Sequence, residues 1–270
     1  EDGDYAKQMA RAGMSFNTFL APDFSCFYST GPSSSLDIAL RLEADRMAGL
    51  RLTPAVVAAE RAATAGFRKR QQENLPTRAL QLLYATAFAG HPYASPVQGR
   101  GADSERLTAA ACTEYEQARY GPGNALVSVA GAFDPTVVEE TIRRTFGAIP
   151  RRDPKAVPRL SLPPPGERRA RLRLASPVAL VMAGWRAPAD SSCGAELAVL
   201  ARALSVPATG RLDLELTRRR QLALSTDCVF DGRGQASLIY VMAAAVPGAD
   251  SGAVESALIE QVEKLATEPL

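Results

Sequence analysis

The side chains able to do chemistry in this sequence are few, and their spacing excludes more than it offers. There is one histidine, His91, so a metal site needing two histidine ligands cannot be built from this chain alone. Four cysteines, Cys26, Cys112, Cys193 and Cys228, lie far apart without a Cys-x-x-Cys pair, which argues against zinc-knuckle and thioredoxin chemistry. Buried free thiols are the expectation over a disulfide. No P-loop, dinucleotide fingerprint or Gly-x-Ser-x-Gly elbow occurs, and nothing places a serine beside His91 for a Ser-His-Asp triad. Among the acids, Glu43 and Arg46 stand three apart on a helical pattern and are read as a structural ion pair.

The elements that must carry these groups follow from composition and periodicity. The 270 residues hold 46% hydrophobic and 22% charged side chains, which excludes wholesale disorder. A chain of this length buries roughly 70–75% of its unfolded surface and needs no disulfide or metal to fold. No run approaches the ~18 apolar residues of a spanning helix. Helices are expected over 4–12, ended by Gly13; over 36–50, with Ser35 as N-cap; from Pro54 to about Gln72; from Leu75 to Ala89; over 108–120, capped by Thr108; and from Pro135 to Phe146. Strands fit Ser15–Leu20 and Phe24–Ser29 around an Ala-Pro-Asp turn, and Ala125–Ala130 reads as a buried strand.

Prolines then cluster between residues 150 and 169, the mark of an extended linker. Residues 151–186 hold nine Lys/Arg against two Asp/Glu, while the whole chain nets only +2. With Trp185 as its only aromatic residue, this stretch reads as a solvated basic linker and not a nucleic-acid arm. Beyond it, strands fit Arg171–Ala175, Ala179–Trp185, Leu224–Phe230 and Ser237–Ala245. Helices fit Cys193–Leu204, Arg211–Arg219 and Ser251–Ala266. Strand pairs mixed with helix runs predict an α+β fold: a first domain over 1–150, a linker over 151–169 and a second domain over 170–270. The opening EDGDY and closing KLATEPL read as cuts in a longer protein.

The stretches AGMSFNTFLAPDFSCFY and LDIALRLEADRMAGL resemble the pitrilysin/insulinase family of zinc peptidases, which includes mitochondrial processing peptidase. Glu60-Arg61, RKRQQENLP, Ala87-Phe88 with His91-Pro92-Tyr93 and Pro96, Tyr120-Gly-Pro with Asn124-Ala125, and FGAIPRR extend the likeness. GWRAP and GRLDLEL look like the start of the next homologous domain, which lacks its C-terminal part. The resemblance implies two homologous domains, each a mostly antiparallel sheet packed with helices, a metallopeptidase-like α/β roll forming one half of a clam-shell. It also implies a catalytic zinc held by His-x-x-Glu-His, two ligands one helical turn apart with a glutamate activating water. That motif is absent from this chain and would lie upstream of residue 1.

The third zinc ligand of the family is a glutamate seven residues after the Glu of the Glu-Arg pair. Counting from Glu60, that position is Phe67, flanked by Gly66 and Arg68, and none of these can ligate zinc. Glu60 is read as an exposed helix carboxylate, with a relic of the family's supporting acid as the alternative. His91 is read as structural within its turn. Silent members of the family contribute an Arg and a Tyr seven apart, and the matching positions here are Thr217 and Leu224, beside Arg218, Arg219 and Arg220. The family's peptide-docking edge strand maps onto Phe16, Asn17, Thr18 and Phe19; the alternative is an ordinary strand whose Phe16 and Leu20 face a core.

The resemblance therefore implies a non-catalytic, peptide-enclosing subunit, with no catalytic residue, no metal ligand and no cofactor in this chain. Its partners would be a homologous zinc-bearing subunit, or the second half of the same protein, and unfolded peptides, with no nucleic acid and no membrane span. The alternative is a fragment of an active zinc metalloendopeptidase. Family habit points to the periplasm, or to the mitochondrial matrix.

Overall fold

A computed structural model of the chain describes residues 4–154, 156–158 and 160–268. In chain order the elements are α1 (Asp4–Arg11), β1 (Ser15–Leu20), β2 (Ser25–Thr30), α2 (Leu36–Gly49), α3 (Pro54–Glu73), α4 (Leu75–Ala87), α5 (Gly101–Glu105), α6 (Ala109–Arg119) and α7 (Pro135–Thr145). They continue with β3 (Leu180–Ala187), α8 (Asp190–Ser205), a π-helix (Asp213–Arg219), β4 (Ala223–Asp231), β5 (Ser237–Ala245) and α9 (Ser251–Glu263). Two compact units result. The first takes the chain up to Gly66 together with Gly99–Pro158; the second takes Phe67–Gln98 together with everything after Pro158.

The first unit is organised by α2, which buries two stripes. Ala39 and Leu42 pack with Met9 and Met14, while Leu40 and Ala44 pack with Val138 and Phe146 of the α7 region. Spacings of three and four residues put each pair on one face of the helix. α1 ends where Gly13 takes the left-handed conformation at φ +70°, a C-terminal cap that glycine adopts without steric cost. Ser35 sits at the N-cap of α2, but its hydroxyl donates to the Ala12 carbonyl (2.6 Å) instead of accepting from the helix. Thr108 does cap α6, accepting from Ala111 N–H (3.2 Å). β1 and β2 form an antiparallel hairpin with Thr18 opposite Phe27.

The second unit is a three-stranded antiparallel sheet, ordered β3-β5-β4. Alternation along β5 sends Val241, Ala243 and Ala245 to one face and Leu238 and Tyr240 to the other. The first set packs with Leu204 of α8, Leu212, Leu216 and α9's Val254, Ala257 and Leu258. The second packs with Tyr84 and Phe88 at the end of α4 and with Tyr93. This central strand is buried on both faces, which is why its sequence is a nearly unbroken apolar run. Gly184 of β3 permits a close approach: a Cβ there would lie 3.3 Å from both the Leu83 side chain and Tyr240 Cβ.

Two expected strands do not form. Ala125–Ala130 and Arg171–Ala175 have strand-like sequences, yet neither pairs with another strand among the described residues. A strand exists through its cross-strand hydrogen bonds, and without a neighbour Leu126 stays 93% exposed. The short helix α5 was not foreseen, and the helix expected over Arg211–Arg219 is π-helical for most of its length.

All four cysteines are free thiols, and Cys228 alone is buried. Burial, with Asp227 adding to it, pushes its pKa up from 9.0 to about 12. The folded state thus keeps the proton where the unfolded chain gives it up. The contribution of Cys228 is complete below pH 9 and falls as pH rises toward 12. Because the thiolate is the reactive form, Cys228 is expected to be the last thiol alkylated by iodoacetamide at pH 8, and to react only when urea unfolds the chain. Peptide mapping after timed alkylation checks this; early labelling of Cys228 would contradict its placement.

Candidate functional site

The four residues of the candidate docking strand lie together on β1. The strand is exposed along its whole length in this chain, with Phe16 43% and Phe19 47% accessible. Phe16 and Thr18 project to one face and Asn17 and Phe19 to the other. Phe16 meets the Tyr5 ring edge-on at 5.0 Å, while Phe19 contacts Phe24 (5.7 Å) and Tyr28 (6.3 Å).

The ladder fixes which backbone groups of β1 are available. Ala21 N–H donates to Phe24 O (2.8 Å), so the odd-numbered residues bond to β2 and the even ones aim their N–H and C=O outward. Thr18 N–H accordingly faces the outer edge, where it donates to the Asn17 side-chain oxygen at 2.8 Å. Among the described residues no further strand pairs with this edge. Asn17 was singled out from the sequence as part of the strand; that its side chain covers the outward donor of its neighbour is visible only in the structure.

The supports of the hairpin come from the blocks that carried the resemblance. Glu43 of α2 accepts from the Tyr5 hydroxyl and pairs with Arg46. Arg46 lies over the Phe27 ring (4.1 Å) and near Tyr5 (5.2 Å), a cation–π arrangement. Burial first, then the bond to Glu43, raise the Tyr5 pKa well above the ordinary tyrosine value. Ser25 and Tyr120 share a hydrogen bond of 2.9 Å. The Glu43–Arg46 pair is structural, as its spacing suggests.

The residues expected around a zinc ion do not fit one. Glu60 and Phe67 lie two turns apart on α3, and Glu60 is exposed. At the third-ligand position Phe67 presents a hydrocarbon ring, 6.0 Å from the Arg70 guanidinium. His91 is 3% exposed and both its ring nitrogens are engaged: Nδ1 accepts from Tyr93 N–H (3.2 Å), which places the proton on Nε2, facing Gln235 Oε1 at 3.3 Å. Among the described residues no three His, Cys, Asp or Glu side chains converge.

His91 instead belongs to a polar joint inside the second unit. The Tyr84 hydroxyl donates to Asp231, Arg233 pairs with Asp231 at 2.7 Å, and the Arg233 guanidinium covers the rings of Tyr84 (4.2 Å) and Tyr93 (4.9 Å). Gln235 N–H donates to the Tyr93 hydroxyl (3.2 Å), and Leu160 N–H donates to Gln235 Oε1 (3.3 Å). Burial, followed by the bond to Asp231, drives the Tyr84 pKa far up. Arg186 holds the proline segment by donating to the carbonyls of Pro163 (2.6 Å) and Pro164 (3.2 Å), so residues expected to be a solvated linker are strapped to β3. Part of the excess positive charge is met locally as well, Arg169 pairing with Glu255 at 2.6 Å.

The positions matching a silent partner's Arg and Tyr carry neither function. Thr217 has a buried hydroxyl without a partner among the described residues, and Leu224 is an exposed aliphatic side chain on β4. The arginines beside Thr217 are all paired: Arg218 with Asp213 (3.1 Å), Arg219 with Glu215 (3.2 Å), and Arg220 with Glu215 and Glu260 (each 2.8 Å).

A hairpin with helices in one unit and a helix-flanked antiparallel sheet in the other make an α+β fold, and the family models supply the family. Residues 1–101 match the insulinase family (peptidase family M16), and residues 106–270 match the peptidase M16 inactive domain. The chain belongs to the M16 peptidase family. It is 24% identical over 269 residues to the zinc protease PqqE of Helicobacter pylori, covering 97% of this chain and 61% of that protein. The crystal structure of a protease from Helicobacter pylori superposes with a TM-score of 0.91 at 24% identity, over 98% of this chain and 65% of the other. Human mitochondrial cytochrome b-c1 complex subunit 1 is 25% identical over 146 residues, 53% of this chain and 30% of that one. The chain thus spans under two thirds of the length of these relatives. Among the described residues no helix is long and apolar enough to cross a membrane.

Proposed function

We propose that this protein is a non-catalytic, peptide-enclosing subunit that works beside a homologous zinc-bearing peptidase subunit, in the periplasm. The observation that carries the proposal is Phe67. A missing motif upstream could follow from the limits of the sequence, but a phenyl ring at the third-ligand position, between glycine and arginine, supplies no donor atom to zinc. The exposed outer edge of β1 supports the peptide part of the reading, since an extended chain adds to such an edge through main-chain hydrogen bonds. A relative named as a subunit of a larger complex supports the paired-subunit part.

The test is zinc content and peptidase activity of the full-length gene product, alone and mixed with an adjacently encoded family member. The expected result is no stoichiometric zinc and no cleavage of an unstructured peptide by the protein alone, with activity appearing or rising in the mixture. Zinc and cleavage from the protein alone would overturn the proposal and favour the other reading, a piece of an active metalloendopeptidase whose His-x-x-Glu-His precedes residue 1.

A further inference from the structure

Two guanidinium groups of the basic stretch meet at one oxygen. Arg186 of β3 donates through Nη1 to Pro163 O (2.6 Å) and through Nη2 to Pro164 O (3.2 Å), and Arg168 donates to the same Pro164 O (3.0 Å). Among the described residues neither arginine pairs with a carboxylate. The two acids of residues 151–186 are taken elsewhere, Asp153 by Arg151 and Glu167 by Arg169, which also takes Glu255. Arg186 lines a groove of about 420 Å³ with Leu162, Pro165, Pro188, Gln235 and Ala236. No nitrogen of Arg186 is both withdrawn from solvent and without a partner, so the N–H groups that the proline carbonyls leave free are open to a ligand.

Like charges drawn to one neutral oxygen repel each other, and a carbonyl accepts their hydrogen bonds without cancelling either charge. An oxyanion placed between them accepts from both and offsets that repulsion, and the planar fork of arginine matches a carboxylate. Gln235 apart, the rest of the groove wall is proline ring and aliphatic carbon, which favours an apolar body attached to the anion. The volume lies within the range of small-ligand sites. We propose that Arg186 and Arg168, with the proline-walled groove beside them, bind an apolar carboxylate in the form of the C-terminal residue of a peptide. The site itself stands on the two arginines and the groove; that its carboxylate belongs to a peptide rests on the peptide-enclosing reading above.

The experiment separates the two. Full-length protein is titrated with N-acetylleucine, N-acetylleucinamide and inorganic phosphate by calorimetry. It is then titrated, by fluorescence anisotropy at low salt, with a short labelled peptide ending in leucine and with the same peptide amidated at its C-terminus. N-acetylleucine is expected to bind saturably and more tightly than its amide or phosphate, and the free-acid peptide about tenfold more tightly than the amidated one. Arg186→Gln and Arg168→Gln should each erase most of these preferences with an unchanged circular dichroism spectrum, whereas Arg173→Gln, at an exposed arginine of the same stretch, should leave them. Because Arg186 also holds the proline segment, Arg168→Gln read against Arg173→Gln decides the matter should Arg186→Gln fail to fold. No N-acetylleucine binding, phosphate binding as tightly, or equal losses in Arg168→Gln and Arg173→Gln would overturn the site; both peptides binding alike without N-acetylleucine binding would overturn it and leave the peptide-enclosing reading standing. N-acetylleucine binding without binding of either peptide would keep the carboxylate site, overturn its peptide occupant and sink the peptide-enclosing reading.

Discussion

Replacing Phe88 with alanine is expected to destabilise the protein by about 3–5 kcal/mol, the usual range for emptying a buried phenylalanine site. Phe88 is fully buried. It stacks on Tyr84 at 5.9 Å, meets Tyr93 edge-on at 5.6 Å and joins the cluster that contains Leu238 and Tyr240 of the central strand. Removing the ring opens a void under three aromatic neighbours, and the polar joint above them cannot collapse freely, because Tyr84 is tied to Asp231 and Tyr93 to Gln235. Phe88→Leu, which keeps more of the volume, is expected to cost about 1.5 kcal/mol or less. Urea denaturation of the two variants checks this: the midpoint should fall with little change in slope. A cost near zero for Phe88→Ala would mean that the end of α4 does not pack on the sheet as described.

That cluster also marks the limit of what the sequence discloses. The helices announce themselves through apolar spacing of three and four, and β5 through an apolar run that only a strand covered on both faces needs. Both are local signals. The contact of Tyr84 with Asp231 joins residues 147 positions apart, and no local pattern encodes it. His91 is legible as a turn residue from its neighbours Pro92 and Tyr93, but the partner of its Nε2 is not. The strand-like stretches Ala125–Ala130 and Arg171–Ala175 show the converse error: they have the propensity, but propensity supplies no pairing partner, and strand formation depends on one. At the candidate site, Phe67 gains meaning only by counting from Glu60 in a family register. The outward N–H of Thr18 and its cover by Asn17 depend on ladder parity, which only the structure fixes.

Ladder parity gives the sharpest test of the docking strand. Thr18 N–H points away from β2, so Thr18→Pro removes no bond of the hairpin, and proline is accepted at outward-facing positions of an edge strand. The variant is therefore expected to keep its stability within about 1 kcal/mol of the parent. It also deletes the central donor of the edge and puts a ring where an added strand would lie. Binding of an unstructured labelled peptide to the full-length protein should then weaken about tenfold or more, as expected for one lost main-chain hydrogen bond together with steric exclusion. Asn17→Ala moves the same group the other way: without the side-chain oxygen at 2.8 Å, the Thr18 N–H is free for a peptide carbonyl and affinity should rise. Opposite shifts from adjacent positions are hard to produce by general damage to the hairpin, because both changes leave the odd-numbered ladder bonds untouched. If Thr18→Pro binds peptide as the parent does, peptides do not add to this edge, whatever else the subunit encloses.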